Sequence, residues 1–179
     1  MRIVSGKYRH RLIEWPKTLK TRPTKDCVRE SIFNAIRNDV IGEVVLDLFA
    51  GSGSMGIEAL SIGARKAVFV DSDKVAIETI KKNIKTLDID SAITLFKDYH
   101  SAIDDFINNS ERFGLIFIDP PYAFQEYDYL IKKLIDDHVL EEHGIIVLET
   151  DHEIFFNQIS FSKVKTYKYG KTFVTIMRR

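Results

Sequence analysis

Between residues 44 and 148, short apolar runs alternate with stretches whose apolar residues recur every three or four positions. The runs fall at 44–49, 66–70, 93–96, 115–118 and 145–148. The stretches between them carry stripes such as Ile77, Ile80, Ile84 and Leu87, or Tyr127, Leu130, Ile131 and Leu134. Strands that are apolar on both faces must be covered on both, and parallel neighbours need a crossover long enough to be a helix. The pattern therefore predicts a doubly wound α/β fold with a mostly parallel sheet. Shorter helices are expected at 57–62 and 101–107. Residues 161–168 and 172–177 flank Tyr169-Gly170-Lys171 and predict an antiparallel hairpin closing the sheet. Upstream, Val28, Ile32 and Ile36 recur every four residues, Ala35 adds to the stripe, and Thr24 after Pro23 is the expected N-cap. Residues 1–23 read as a basic hairpin or arm with strand cores at Ile3/Val4 and Leu12/Ile13, and residues 24–179 as the single domain that follows.

Composition narrows the class. With 179 residues and 45% apolar side chains, the chain can bury a full core. Its one cysteine, Cys27, supports neither a disulfide framework nor zinc-ligand spacing. No run approaches the ~18 apolar residues of a membrane span, and MRIVSGKYRHR carries charge where a secretory leader needs an apolar stretch. The expectation is a cytoplasmic monomer without metal. Net charge is zero, yet residues 1–30 hold nine Lys/Arg against three acids. That asymmetry points to a basic arm suited to a polyanion or to a solvated tail.

The run at 44–49 leads into Asp47-Leu48-Phe49-Ala50-Gly51-Ser52-Gly53-Ser54-Met55-Gly56. In an open α/β sheet, ligands bind beyond the carboxyl ends of the strands. Glycines at 51, 53 and 56 allow a sharp turn and close approach of the backbone to a ligand. The spacing also satisfies the dinucleotide fingerprint G-x-G-x-x-G, with Asp71 about 20 residues on to accept ribose hydroxyls. Asp47 separates the two readings. A carboxylate at the strand mouth suits the cationic amino-acid end of S-adenosylmethionine and repels a pyrophosphate. Asp98, after the third strand, is a candidate for the adenine amino group. Phe49, Ser72 and Tyr99 complete the expected cofactor-binding set.

The strongest chemical signal is Asp119-Pro120-Pro121-Tyr122, directly after the buried run 115–118. Two prolines remove two backbone donors and fix φ near −65°, which stiffens the tip and aims its carbonyls outward. A base amino group is a poor nucleophile because its lone pair is delocalised into the ring. Asp119 and the Pro120 carbonyl can each accept one of its N–H groups, and Tyr122 offers a face for stacking, a contact worth ~1–3 kcal/mol per base. The sulfonium is an activated leaving group, so in-line transfer needs neither metal nor covalent intermediate. The target must be single-stranded, looped or flipped out.

Read together, these segments resemble the RsmD family of bacterial ribosomal RNA methyltransferases. The resemblance rests on MRIVSGKYRHR, on Arg22-Pro23-Thr24, Asp26 and Val28-Arg29-Glu30-Ser31-Ile32-Phe33-Asn34, on Asp47–Gly53 with Gly56-Ile57-Glu58-Ala59, and on Asp119-Pro120-Pro121-Tyr122. It implies a Rossmann-like class I S-adenosylmethionine-dependent fold and methylation of the N2 amino group of one guanine in 16S rRNA, within an assembled small ribosomal subunit. Asp119, Pro120, Pro121 and Tyr122 would be catalytic. Arg2, Lys7, Arg9, Arg11, Lys20, Arg22 and Arg29 would lie at the RNA face. His10 stands where the family usually has glycine, Cys27 where it has arginine, and Asp71 where glutamate is commoner. Rival readings are a DNA adenine-N6 methyltransferase, an NAD-dependent oxidoreductase, and a non-catalytic RNA-binding module.

Overall fold

Apolar burial on both faces of a central sheet organises the chain. The structure, a computed structural model, describes residues 1–16, 26–121, 123–156 and 159–179. After α1 (Asp26–Val40), strands and helices alternate through β1 (Val44–Asp47), α2 (Ser54–Ile62), β2 (Lys66–Asp71), α3 (Lys74–Leu87), β3 (Ala92–Phe96), α4 (Tyr99–Asn108), β4 (Phe113–Ile118), α5 (Tyr127–Asp136) and β5 (Leu140–Thr150). The chain then forms β6 (Lys163–Tyr169) and β7 (Thr172–Arg178). The seven strands lie in the order β3-β2-β1-β4-β5-β7-β6. β1 to β5 are parallel, while β7 runs antiparallel to β5 and to β6. The doubly wound sheet with an antiparallel C-terminal hairpin is the architecture that the periodicity implies.

Each face of the sheet has its own core. Ile32, Phe33 and Ile36 of α1, Ile57 of α2 and Ile77 and Ile80 of α3 cover one side. Ile103 and Phe106 of α4 and Leu130, Ile131 and Leu134 of α5 cover the other. β4 is buried along its whole length, as its unbroken apolar run requires. Along α1 the expected stripe is buried at Val28, Ile32 and Ile36, but Ala35 is exposed. The proposed cap Thr24 lies outside the described residues.

The N-terminal hairpin forms, with Arg2 bridging Leu12 and with Ile3 accepting from His10 at 2.9 Å. It is docked on the α1 face rather than trailing in solvent. Ile3 and Ile13 are buried in the core there, whereas Leu12, expected as a strand core, is 74% exposed. Because α2 runs back from the carboxyl ends of the strands, its C-terminal end lies at the opposite rim of the sheet. The hairpin's tip is fastened there: Lys7 N–H donates to Ser61 O at 2.7 Å and Tyr8 N–H to Ser61 Oγ at 2.9 Å. Gly6, at φ +76°, makes this approach possible, since a Cβ there would sit 1.9 Å from Ser61 O.

Candidate active site

The crossovers from β1 run to β2 and β3 on one side, and those from β4 run to β5 on the other. The strand order therefore reverses between β1 and β4, which is where ligands bind in open α/β sheets. Asp47 pairs with Phe117 in register, and Leu48 N–H donates to Phe117 O at 3.0 Å. The Gly-rich loop after β1 and the segment from Asp119 after β4 thus leave adjacent strand tips, about 4.8 Å apart.

Asp47 closes β1 and is 3% exposed. Its Oδ2 accepts the Gly56 N–H at 3.0 Å, which straps the loop to the strand tip. Burial pushes its carboxyl up to about 7, against the lowering effect of that N–H and with a smaller push from Asp71. Gly51 and Gly53 take φ of 53° and 76°, the left-handed turn the sequence pattern requires. Gly56 is needed for a different reason. It lies on the ring of Phe69 in β2, and a Cβ there would come within 2.3 Å of Phe69 Cε1.

Asp71 ends β2, half-buried, and its two oxygens accept the N–H groups of Gly51 and Asp73, each at 2.8 Å. Burial raises its pKa, and the N–H groups of Asp73, Gly51 and Ser72 oppose the rise. Ser72 follows it, exposed. Asp98 is exposed and caps α4, accepting Ser101 N–H at 3.0 Å and Ser101 Oγ–H at 2.7 Å; these bonds hold its pKa low. Asp98 thus caps a helix, just past the tip of β3.

Across the mouth, Phe49, Tyr99 and Phe124 form an aromatic triangle with centroids 5.4, 5.4 and 5.5 Å apart. The Tyr99 hydroxyl donates to Glu126, so the loop after β3 is joined to the loop after β4. Asp119 is half-buried, Pro120 buried and Pro121 exposed. Pro121 O accepts the Phe124 N–H at 2.9 Å. Tyr122 lies outside the described residues, as do Lys20 and Arg22.

Sequence reasoning missed Phe124, Glu126 and Asn83. Phe124 was signalled by aromatic density, since residues 122, 124, 127 and 129 are all aromatic. Asn83 had no such signal. Its side chain bonds both Glu14 N–H, at 2.7 Å, and Ser52 O, at 3.1 Å, tying hairpin and ligand loop to α3.

Arg29 requires a correction. Expected at the RNA face, it is 0% exposed. Its Nε donates to Glu58 Oε2 at 3.3 Å and its Nη2 to Asp26 Oδ1 at 3.0 Å and to the Arg2 carbonyl. Glu58 also receives the N–H groups of Val4 and Ser5 and the Ser5 hydroxyl at 2.7–3.2 Å. A guanidinium enclosed this way fastens the hairpin and does not reach RNA.

A family model described as Conserved hypothetical protein 95 matches residues 1–178. The chain is 34% identical to ribosomal RNA small subunit methyltransferase D of Haemophilus influenzae, over 86% of this chain and 80% of that protein. The chain belongs to the RsmD family. Its RsmD relatives also include Bacillus subtilis YlbH, 40% identical over 100% of this chain and 99% of that protein. Among solved structures, Escherichia coli yhhF superposes with a TM-score of 0.84 at 28% identity, covering 100% of this chain and 97% of that one. The RsmD fold here is that of a Rossmann-like class I S-adenosylmethionine-dependent methyltransferase.

Proposed function

We propose that this protein transfers a methyl from S-adenosylmethionine to the exocyclic N2 amino group of one guanine in 16S rRNA, on an assembled small ribosomal subunit. The observation that carries the reading is the adjacency of the β1 and β4 tips at the point where strand order reverses. The residues at the loop fit this cofactor. Asp47 is a buried acid that a bound ammonium group would neutralise, and Asp71, bonded to Gly51 of the loop, is the acid that would accept ribose hydroxyls. Asp47 at the mouth of the loop would repel the pyrophosphate of NAD, which argues against the oxidoreductase reading. S-adenosylmethionine supplies a methyl already activated on a sulfonium.

The chain's own residues then have three tasks. Asp119 and the Pro120 carbonyl accept the two N–H groups of the target amine and aim its lone pair. Tyr122 stacks on the base, and the triangle of Phe49, Tyr99 and Phe124 walls the site from water. This is catalysis by positioning and by preorganised hydrogen bonding. Ser72, Asp98 and Tyr99 line the adenosine end. Arg2, Lys7, Arg9 and Arg11, all but Lys7 and Arg9 already bonded to the body, add RNA backbone contacts at a distance from the reacting base.

Small subunits from cells lacking this enzyme should accept one labelled methyl per particle, on a guanine, and DNA should accept none. Label on an adenine, or in DNA, rejects the substrate. Asp119→Ala should abolish transfer while cofactor affinity by calorimetry stays within a few-fold. A parallel loss of both would make Asp119 structural.

A further inference from the structure

The charge that the N-terminal segment gathers is matched at the other end of the sequence. Residues 154–179 contain Lys163, Lys165, Lys168, Lys171, Arg178 and Arg179 and no acid at all. Arg178 is paired with Asp39 at 2.7 Å, and Arg179 donates to Leu140 O at 2.9 Å. Among the described residues, the four lysines enter no ion pair. They sit on β6, an edge strand, and on its turn.

Register fixes where that turn lies. Thr150 at the end of β5 pairs with Phe173, and Tyr169 pairs with Thr172. Residues 169–172 therefore stand at the carboxyl ends of the parallel strands, on the same rim as the Gly-rich loop and Asp119. Lys163, paired with Arg178 beside Ile145, is at the opposite rim. β4 and β6 are three strand spacings apart, about 14 Å. That is about four nucleotides at the ~3.4 Å rise of a stacked strand. Lys168 is steadied by its ammonium lying 5.1 Å from the centre of the Phe173 ring, and Tyr169 is stacked with Tyr167 at 21°. A Cβ at Gly170 would meet no atom of the described residues within 4 Å, so the turn is open there.

We propose that Lys168 and Lys171 grip the RNA backbone a few nucleotides from the reacting base. This rests on the rRNA methyltransferase reading above and adds a second RNA contact, nearer the chemistry than the N-terminal arm. Lysines on an edge strand also discourage pairing with another sheet, and that role leads to a different experimental result.

The test is steady-state methylation of small subunits that lack the modification, comparing wild type with the K168A/K171A double variant. The double variant should show a KM about tenfold higher, kcat within twofold and unchanged affinity for S-adenosylmethionine. The slope of log kcat/KM against log salt should become shallower by about 1.4 to 1.8, for two lost phosphate contacts at ~0.7–0.9 each. Lys163→Ala, at the far end of the same strand, should stay within twofold throughout. An unchanged KM and salt slope overturns the inference, as does self-association of the double variant without weaker substrate affinity. If the wild type itself transfers no methyl to the particle, the function proposed above fails and this inference falls with it.

Discussion

The two ends of the sequence each carry a surplus of positive charge, and the fold treats them in opposite ways. Around the N-terminal hairpin the fold has already bound part of the charge, although Lys7 and Arg9 stay exposed. Arg29 is enclosed, Arg2 is paired with Asp26, and Glu58 gathers backbone and guanidinium donors at once. In the C-terminal hairpin the four lysines stay in solvent without carboxylate partners among the described residues. Enclosed charge must be compensated wherever it sits, because an unpaired ion in the interior is far costlier than one in water. Open charge costs the fold almost nothing and remains free for a polyanion. A basic composition therefore says little about a partner until the structure shows which charges are already spent on the protein itself.

The contrast breaks most decisively at Glu58. Glu58→Ala leaves the buried Arg29 guanidinium with only the partly exposed Asp26 as counter-charge, and should cost about 3–5 kcal/mol in urea denaturation. Losing both Lys168 and Lys171 should change stability by less than about 0.5 kcal/mol. Equal costs at the two ends would mean that the N-terminal network is not a clamp. Next is Gly56→Ala, which forces a methyl into the Phe69 ring and should cost about 1–3 kcal/mol of stability. It should also weaken S-adenosylmethionine binding, which neither hairpin change does directly.

Asp47 sharpens the comparison, because it is enclosed charge with no cation bonded to it among the described residues. Burial raises its carboxyl from an ordinary 3.8 to about 7. A raised acid holds its proton longer in the folded chain than in the unfolded one, so this group lowers stability as pH climbs from about 4 through 7, and adds no further loss above. Ligand binding runs the other way, since the ammonium group calls for the ionised form. Affinity should therefore rise about tenfold between pH 6 and pH 8 in calorimetry, and Asp47→Asn should bind weakly with no such rise. A flat wild-type profile would remove Asp47 from the ligand's surroundings. The smallest effect belongs to His10, which holds φ +70° in the hairpin turn. His10→Gly should stabilise by less than about 1 kcal/mol, because relief of the left-handed strain is partly offset by chain entropy.

Much of this molecule was legible before any coordinates. Apolar periodicity located the parallel strands and their helices, because side-chain burial on a sheet covered on both faces leaves a direct imprint on sequence. The ligand loop was legible for a local reason: turn glycines and a strand-end acid fall within ten residues. Arg29 was not, because its partner Glu58 lies 29 positions away and its burial is a product of packing. The position of the lysines was hidden too. A hairpin pattern at 161–177 announces two paired strands but not that β7 lies inside and β6 outside, and only that order puts the lysines on an edge. The aromatic triangle draws on two loops and the first residue of α4, so no single stretch announced it.

The close fit of Gly56 on Phe69 carries a consequence for descent. A ring buried in the sheet forms the floor under the first turn of α2, so the two positions are free to vary only as a couple. A lineage that trades Phe69 for a smaller side chain opens a hollow beneath that turn, and one that adds a methyl at 56 first must retreat or find a slimmer residue at 69. Engineering at position 56 for altered methyl donors should therefore start from Phe69, whose ring sets how close α2 lies to the sheet.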